Sequence, residues 1–162
     1  MNEMDLFPLS RALHIIGVVM WIGGVAFVTT VLIPALKRME SEKEKLALFE
    51  QLEGRFGLQA KFSILITGFS GLYMLHAMQA WDRYLDLQFW WLHLMTVIWV
   101  IFSIVLFILE PTVLHRWFHQ QAEKESVKTF KRLHIMHIVL LSLSLLATLS
   151  AVLGAHGFSL FY

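Results

Sequence analysis

Four long apolar stretches, separated by charged segments, dominate this chain of 162 residues. They run over 13–36, 62–78, 89–109 and 135–155. Each has about 17–24 residues, which at about 1.5 Å per residue crosses most or all of a hydrocarbon layer of roughly 30 Å. Charged residues make up only 15% of the chain, against about 25% in an ordinary soluble domain. The sequence therefore predicts an all-α, membrane-spanning four-helix bundle in up-down-up-down order, with residues 1–162 as a single domain.

Lysine and arginine are distributed unevenly among the segments outside the predicted spans. Eleven of the 13 lie in the two long connections, 37–61 and 110–134, and the other two are Arg11 and Arg83. Because basic connections stay on the cytoplasmic side, we expect both termini to face outward. The expected location is a bacterial-type inner (plasma) membrane.

The first long connection carries a helical pattern of its own. Leu46, Phe49, Leu52 and Phe56 recur at helical spacing among charged residues. This pattern predicts an amphipathic helix lying along the inner membrane surface. A solvated, charged linker is the alternative.

Three of the eight histidines fall inside the predicted spans, close to their outer ends. His14 begins the first span, His76 lies near the end of the second, and His93 lies near the start of the third. At about 1.5 Å per residue, all three would sit within roughly 2–6 Å of the outer edge of the apolar layer. Imidazoles from separate helices at similar depth can supply both axial ligands of a haem iron. Since the first and third helices are diagonal neighbours, we predict a b-type haem ligated by His14 and His93, with His76 as the substitute.

A flat macrocycle also needs room beside its ligand. His14, Gly17, Trp21 and Gly24 follow one another at spacings of 3, 4 and 3, so they share one helix face. Gly17 and Gly24 would then form a groove for the edge of the ring. The alternative is that these glycines only let helices pack closely, and that each histidine is an interfacial side chain bonded to water or backbone.

Copper is the alternative cofactor. Met74 and Met78 flank His76, and Met95 follows His93; thioether and imidazole ligands suit Cu(I). The chain has no cysteine, which excludes thiolate metal sites, cysteine-held iron–sulfur clusters and disulfides.

Four further histidines belong to the inner side. His115 and His119 are spaced i, i+4, and His134 and His137 are spaced i, i+3, so each pair lies on one helical face. These pairs could bind a second haem or a metal ion. The alternative is that they belong to a basic segment that lies at the lipid headgroups and bind nothing. Glu110 directly follows the third apolar stretch, either as a proton relay or as a solvated helix end.

The layout resembles the CopD-like membrane family, which includes copper-resistance proteins and the HemJ-type protoporphyrinogen oxidases. The segment "RALHIIGVVMWIGGVAF" is similar to the family's first helix, with His14 at its histidine position. The segments "FEQLEGRFGLQAKFSILITGFSGLYML" and "WWLHLMTVIWV" are similar to its second and third helices. HemJ-type proteins bind haem, which is what the resemblance implies for His14. The HemJ pattern places a lysine early in the third helix, where this chain has His93 and Met95, so the resemblance supports haem binding rather than protoporphyrinogen oxidation.

The sequence therefore predicts a haem b-binding integral membrane protein that acts in electron transfer or oxidoreduction. A copper-binding or copper-transport membrane protein and a structural or assembly subunit are the alternatives. Expected partners are the lipid bilayer and a quinone, a tetrapyrrole or another redox partner. A homo-oligomer is also compatible with the sequence, and nothing indicates a nucleic acid.

Overall fold

The computed structural model describes residues 3–158, with side chains described over 6–112 and 127–158. The first membrane helix consists of α1 (Glu3–Phe27), a π-helical segment (Val28–Leu32) and α2 (Ile33–Lys37). Helix α3 follows (Glu42–Ala77), and two 3₁₀ turns (Trp81–Leu85 and Leu87–Phe89) lead into α4 (Trp90–Ile104). A second π-helical segment (Val105–Leu114) and α5 (His115–Ala155) complete the described chain.

Four helical stretches are long and apolar enough to cross a membrane, namely Leu6–Lys37, Glu42–Ala77, Leu87–Thr112 and Val127–Ala155. The prediction of an all-α, membrane-spanning four-helix bundle is confirmed. Helix α1 begins at Glu3, before the predicted start of the first span, so His14 lies within the helix rather than at its end.

Contacts between the helices establish the alternating order. On α1, Gly17 lies against Thr67 of α3, and Gly24 lies against Phe56. Residues later in α1 contact residues earlier in α3, so the two helices are antiparallel. The same relation holds between α3 and α4, where Gly68 faces Trp99 and Gly57 faces Glu110.

Helices α4 and α5 are antiparallel as well. Trp91 lies against Gly154, and Phe102 shares a buried cluster with Ala147. The helices α1 and α4 are diagonal, and their side chains meet in the centre of the bundle, where the rings of Trp21 and Phe102 lie 4.7 Å apart, edge to face.

The first long connection is helical, as its pattern predicts, but it is not a separate surface helix. It forms the first half of α3, which begins at the N-cap Ser41, whose hydroxyl accepts a hydrogen bond from the backbone N–H of Glu44 at 3.3 Å. Phe49 is buried and packs edge to face on Phe130 of α5, 5.5 Å between ring centroids. Burial of this apolar face against α2 and α5 keeps the helix continuous with the membrane span.

Candidate functional site

His14 sits in a socket built by α3. Its Nδ1 lies 2.9 Å from the carbonyl oxygen of Thr67 and 3.3 Å from the hydroxyl of Ser70. A Cβ atom placed on Gly71 would lie 3.2 Å from the imidazole ring, so a glycine at this position makes room for it. Since a carbonyl only accepts hydrogen bonds, Nδ1 carries the proton and Nε2 keeps its lone pair.

His93 lies nearer than Trp99 to the end of the bundle where α3 turns into α4. The His14 socket is made by residues 67–71 of α3, and the indole of Trp99 contacts Gly68 within the same stretch. His93 precedes Trp99 by six residues, which is about 9 Å along the axis of α4. Joint ligation of a haem iron by His14 and His93 stays a prediction.

Both ring nitrogens of His93 also lie near backbone carbonyls. Nδ1 is 3.0 Å from the oxygen of Phe89, and Nε2 is 3.0 Å from the oxygen of Tyr84. A neutral imidazole has one N–H, so one of these contacts is a hydrogen bond at any moment. Ligation of a metal through Nε2 requires His93 to turn away from Tyr84.

His76 is exposed, five residues beyond the socket on α3, which is about 7–8 Å further outward. His156 is exposed too, with Nδ1 at 2.7 Å from the carbonyl oxygen of Val152. Of the two methionines that flank His76, Met78 is exposed.

The space beside Gly17 and Gly24 is filled by α3. A Cβ on Gly17 would lie 2.5 Å from Oγ1 of Thr67, and one on Gly24 would meet the ring of Phe56. Both glycines allow close approach of the two helices, which is the packing alternative that the sequence left open. A macrocycle bound at His14 must lie elsewhere than over these glycines.

At the end of the bundle predicted to face inward, His134 has a structural role that the π-helical segment explains. In this segment the N–H of Ile33 bonds to the carbonyl of Val28, five residues earlier. The carbonyl of Thr29 would need the N–H of residue 34, and Pro34 has none. Nε2 of His134 donates to that carbonyl instead, at 2.9 Å, and Nδ1 accepts from the ammonium of Lys37 at 2.6 Å. Both nitrogens are engaged, which leaves neither for a metal.

His137 is arranged differently. Its Nδ1 lies 3.0 Å from the carbonyl oxygen of Leu133 on its own helix, and the structure gives Nε2 no partner among the described residues. The ring lines a cavity of about 500 Å³ between all four membrane helices, in the half of the bundle away from the 79–88 turn, which is the half predicted to face inward.

The walls of this cavity are largely apolar and include four aromatic rings, those of Trp21, Phe49, Phe56 and Phe102. The polar residues that line it are Glu53, Glu110, Arg132 and His137. Glu110 forms an ion pair with Lys61, in which Nζ lies 2.6 Å from Oε2. This contact does not have the geometry of a hydrogen bond. The carboxyl of Glu53 has no such partner among the described side chains. A volume of this size falls within the range of about 300–1,000 Å³ typical of small-molecule sites.

The remaining predicted ligands are His115 and His119. His115 and His119 lie among the residues whose side chains the structure leaves undescribed. Within the described part of the chain, no three histidine, aspartate or glutamate side chains are grouped as a metal site would require. The haem prediction does not depend on such a group, because a haem iron takes only one or two protein ligands.

Sequence reasoning missed the residues that hold His14 and the acidic residue of α3 that lines the cavity. Thr67, Ser70 and Gly71 are small residues on one face of the segment "ITGFSG". Such residues are typical of helix–helix contacts in membranes, so the segment could have been recognised as one. Glu53 lies among charged residues of α3, and nothing in its neighbourhood along the chain marks it as a cavity residue. Comparisons of the chain with protein-family models, with curated proteins and with solved structures find no match.

Proposed function

We propose that this protein binds a b-type haem within the membrane through His14 and acts in electron transfer or oxidoreduction. The observation that carries the proposal is the orientation of one imidazole. Among the described histidines, His14 alone is anchored at Nδ1 by a different helix while Nε2 has no partner. This arrangement is typical of a metal-binding histidine, whose second nitrogen donates to a carbonyl that fixes the tautomer and the ring orientation.

The donor set fits a haem in part. His14 supplies a neutral imidazole in an apolar span, where an ionisable side chain is costly and usually functional. The second predicted ligand, His93, has Nε2 3.0 Å from the carbonyl oxygen of Tyr84, so its ring would have to turn before it could bind iron. We therefore expect that His14 would hold the haem iron without His93, and that a haem held by one histidine would be high-spin, in contrast to the two-histidine site predicted from the sequence. A bound haem would supply one-electron chemistry.

The resemblance of the first three helices to the CopD-like and HemJ-type family points in the same direction, since it implies a haem ligand at His14. The copper alternative has less geometric support, because His76 and Met78 are both exposed. The proposed setting is a bacterial-type plasma membrane, with lipid-soluble or membrane-bound redox partners.

The test is a comparison of histidine variants purified in detergent. The wild-type protein should show a Soret band, one haem per chain by pyridine haemochrome, and a high-spin ferric spectrum. His14→Ala should lose the haem, whereas His156→Ala, the matched change at an exposed histidine, should keep it. His93→Ala should keep the haem as well.

Two outcomes would overturn the proposal. Full haem occupancy in His14→Ala together with loss in His137→Ala would move the haem to the inner cavity. Stoichiometric copper by metal analysis, without a Soret band, would favour the copper-binding alternative.

A further inference from the structure

The inner cavity described above has no role in the proposed haem site. It begins at Trp21, seven residues beyond His14 on α1, which is about 10 Å along the helix. Its enclosure by four membrane helices means that a ligand must enter from the bilayer or from the inner surface. Its apolar and aromatic walls favour a ligand with a flat, hydrophobic body.

The acidic and basic residues around the cavity do not select a strongly charged ligand. Glu110 is paired with Lys61, and Glu53 and Arg132 line the cavity as one acidic and one basic residue. An organic anion would have to lie beside two acidic residues, and an organic cation would have to lie beside two basic ones. A pure hydrocarbon would leave the polar atoms of Glu53 and His137 without hydrogen bonds in an apolar site, which is unfavourable.

Three buried or half-buried polar groups that line the cavity are without a hydrogen-bond or ion-pair partner among the described residues, and two of them offer acceptors. Nδ1 of His137 must carry the proton, because it faces the carbonyl oxygen of Leu133 at 3.0 Å, so Nε2 can only accept. The carboxyl of Glu53 accepts through its carbonyl oxygen whether or not it carries a proton. The third group, the buried indole N–H of Trp21, is a donor. A flat ligand with two hydroxyl groups satisfies all three, because a hydroxyl group both donates and accepts.

We infer that the cavity binds a membrane-soluble hydroquinone, with one hydroxyl donating to Nε2 of His137 and the other to the carboxylate of Glu53. The ring would lie among Trp21, Phe56 and Phe102, and the tail would follow the apolar wall toward the bilayer. The role of this ligand as a redox partner rests on the proposed function. Its binding to the cavity does not require haem.

The test measures binding of a decyl-substituted hydroquinone, kept reduced under anaerobic conditions, to the full chain in lipid nanodiscs by titration calorimetry. The wild-type protein should bind one molecule. Glu53→Leu and His137→Phe each remove an acceptor and preserve bulk, so each should weaken binding by roughly tenfold or more. Glu53→Gln keeps a neutral acceptor and should fall between the wild type and Glu53→Leu. Glu44→Leu, at an exposed position on the same helix, should bind as the wild type does.

The same titrations with oleate, tetraphenylphosphonium and protoporphyrin IX test the competing ligand classes. Tighter binding of any of these, weakened by Glu53→Leu or His137→Phe, would overturn the hydroquinone assignment. So would absence of hydroquinone binding, or binding that none of the cavity variants affects. His14→Ala should lose haem and still bind the hydroquinone, and Glu53→Leu should keep the haem spectrum, so failure of either proposal is recognised separately.

Discussion

Substitution of Gly68 by alanine should destabilise the bundle, although alanine is the better helix former. A Cβ at this position would lie 2.7 Å from Cε2 and 2.9 Å from Nε1 of Trp99, well inside van der Waals contact. The indole cannot stay where it is, because its Nε1 donates a hydrogen bond to the carbonyl of Ile64 at 3.0 Å. The methyl group therefore forces out a ring that joins α4 to α3.

The magnitude follows from three contributions. Overpacking of a well-packed contact costs about 1–3 kcal/mol, and loss of the indole hydrogen bond costs roughly 0.5–1.5 kcal/mol. Replacing glycine by alanine in a helix returns about 0.5–1 kcal/mol. The net loss in unfolding free energy is on the order of 1–3 kcal/mol.

The assay is unfolding by SDS in mixed micelles, followed by circular dichroism. Gly23→Ala is the matched control, because a Cβ there meets nothing within 4 Å, so it should be neutral or stabilising by up to about 1 kcal/mol. In a Trp99→Phe background the smaller ring leaves space, and Gly68→Ala should cost less than in the wild type. Equal stability of Gly68→Ala and Gly23→Ala would refute the reasoning.

Three further predictions test other parts of the structure. Phe49→Ala should lower the unfolding free energy by about 3–5 kcal/mol, since the ring is 2% exposed. Leu48→Ala, at a side chain that is 38% exposed, should stay within about 0.5 kcal/mol of the wild type; equal losses would mean that this part of α3 does not pack on α5. Lys61→Ala should cost roughly 1–3 kcal/mol by leaving Glu110 unpaired, and adding Glu110→Gln should recover part of that loss; strictly additive losses would show that the pair is not coupled. A C-terminal alkaline phosphatase fusion should be active and a C-terminal green fluorescent protein dark in bacteria, because 11 of the 13 basic residues lie in the two long connections; the opposite pattern would reverse the orientation.

The fold could be predicted because the bilayer imposes a simple length requirement. A stretch of about 20 apolar residues has few alternatives to a membrane helix, and short or basic connections between four such stretches favour an alternating bundle. The spacing of Leu46, Phe49, Leu52 and Phe56 also predicted a helix correctly, because an apolar face recurs at helical spacing whichever surface it packs against. The pattern carries no information on whether that helix lies on a membrane surface or continues into a span.

The candidate site was harder to predict, because depth was counted from the edges of the apolar stretches. Helix α1 begins at Glu3 rather than at residue 13, and each residue of misplacement moves a side chain by about 1.5 Å along the helix axis. The contacts that fix the relative level of the helices, such as those of His14 with Thr67 and of Trp99 with Gly68, join residues far apart in the chain.

The sequence by itself determined the four membrane helices, their alternating order and the choice of histidine as the chemically interesting residue in the spans. Only the tertiary structure decided which histidines have a free nitrogen. Nε2 of His134 donates to the carbonyl of Thr29, which has no backbone partner because Pro34 lacks an N–H. Nδ1 of His14 donates to the carbonyl of Thr67, 53 residues away in the sequence. Hydrogen bonds between distant segments depend on which helix faces meet, and helix faces meet through packing of glycines and aromatic rings that no local pattern specifies.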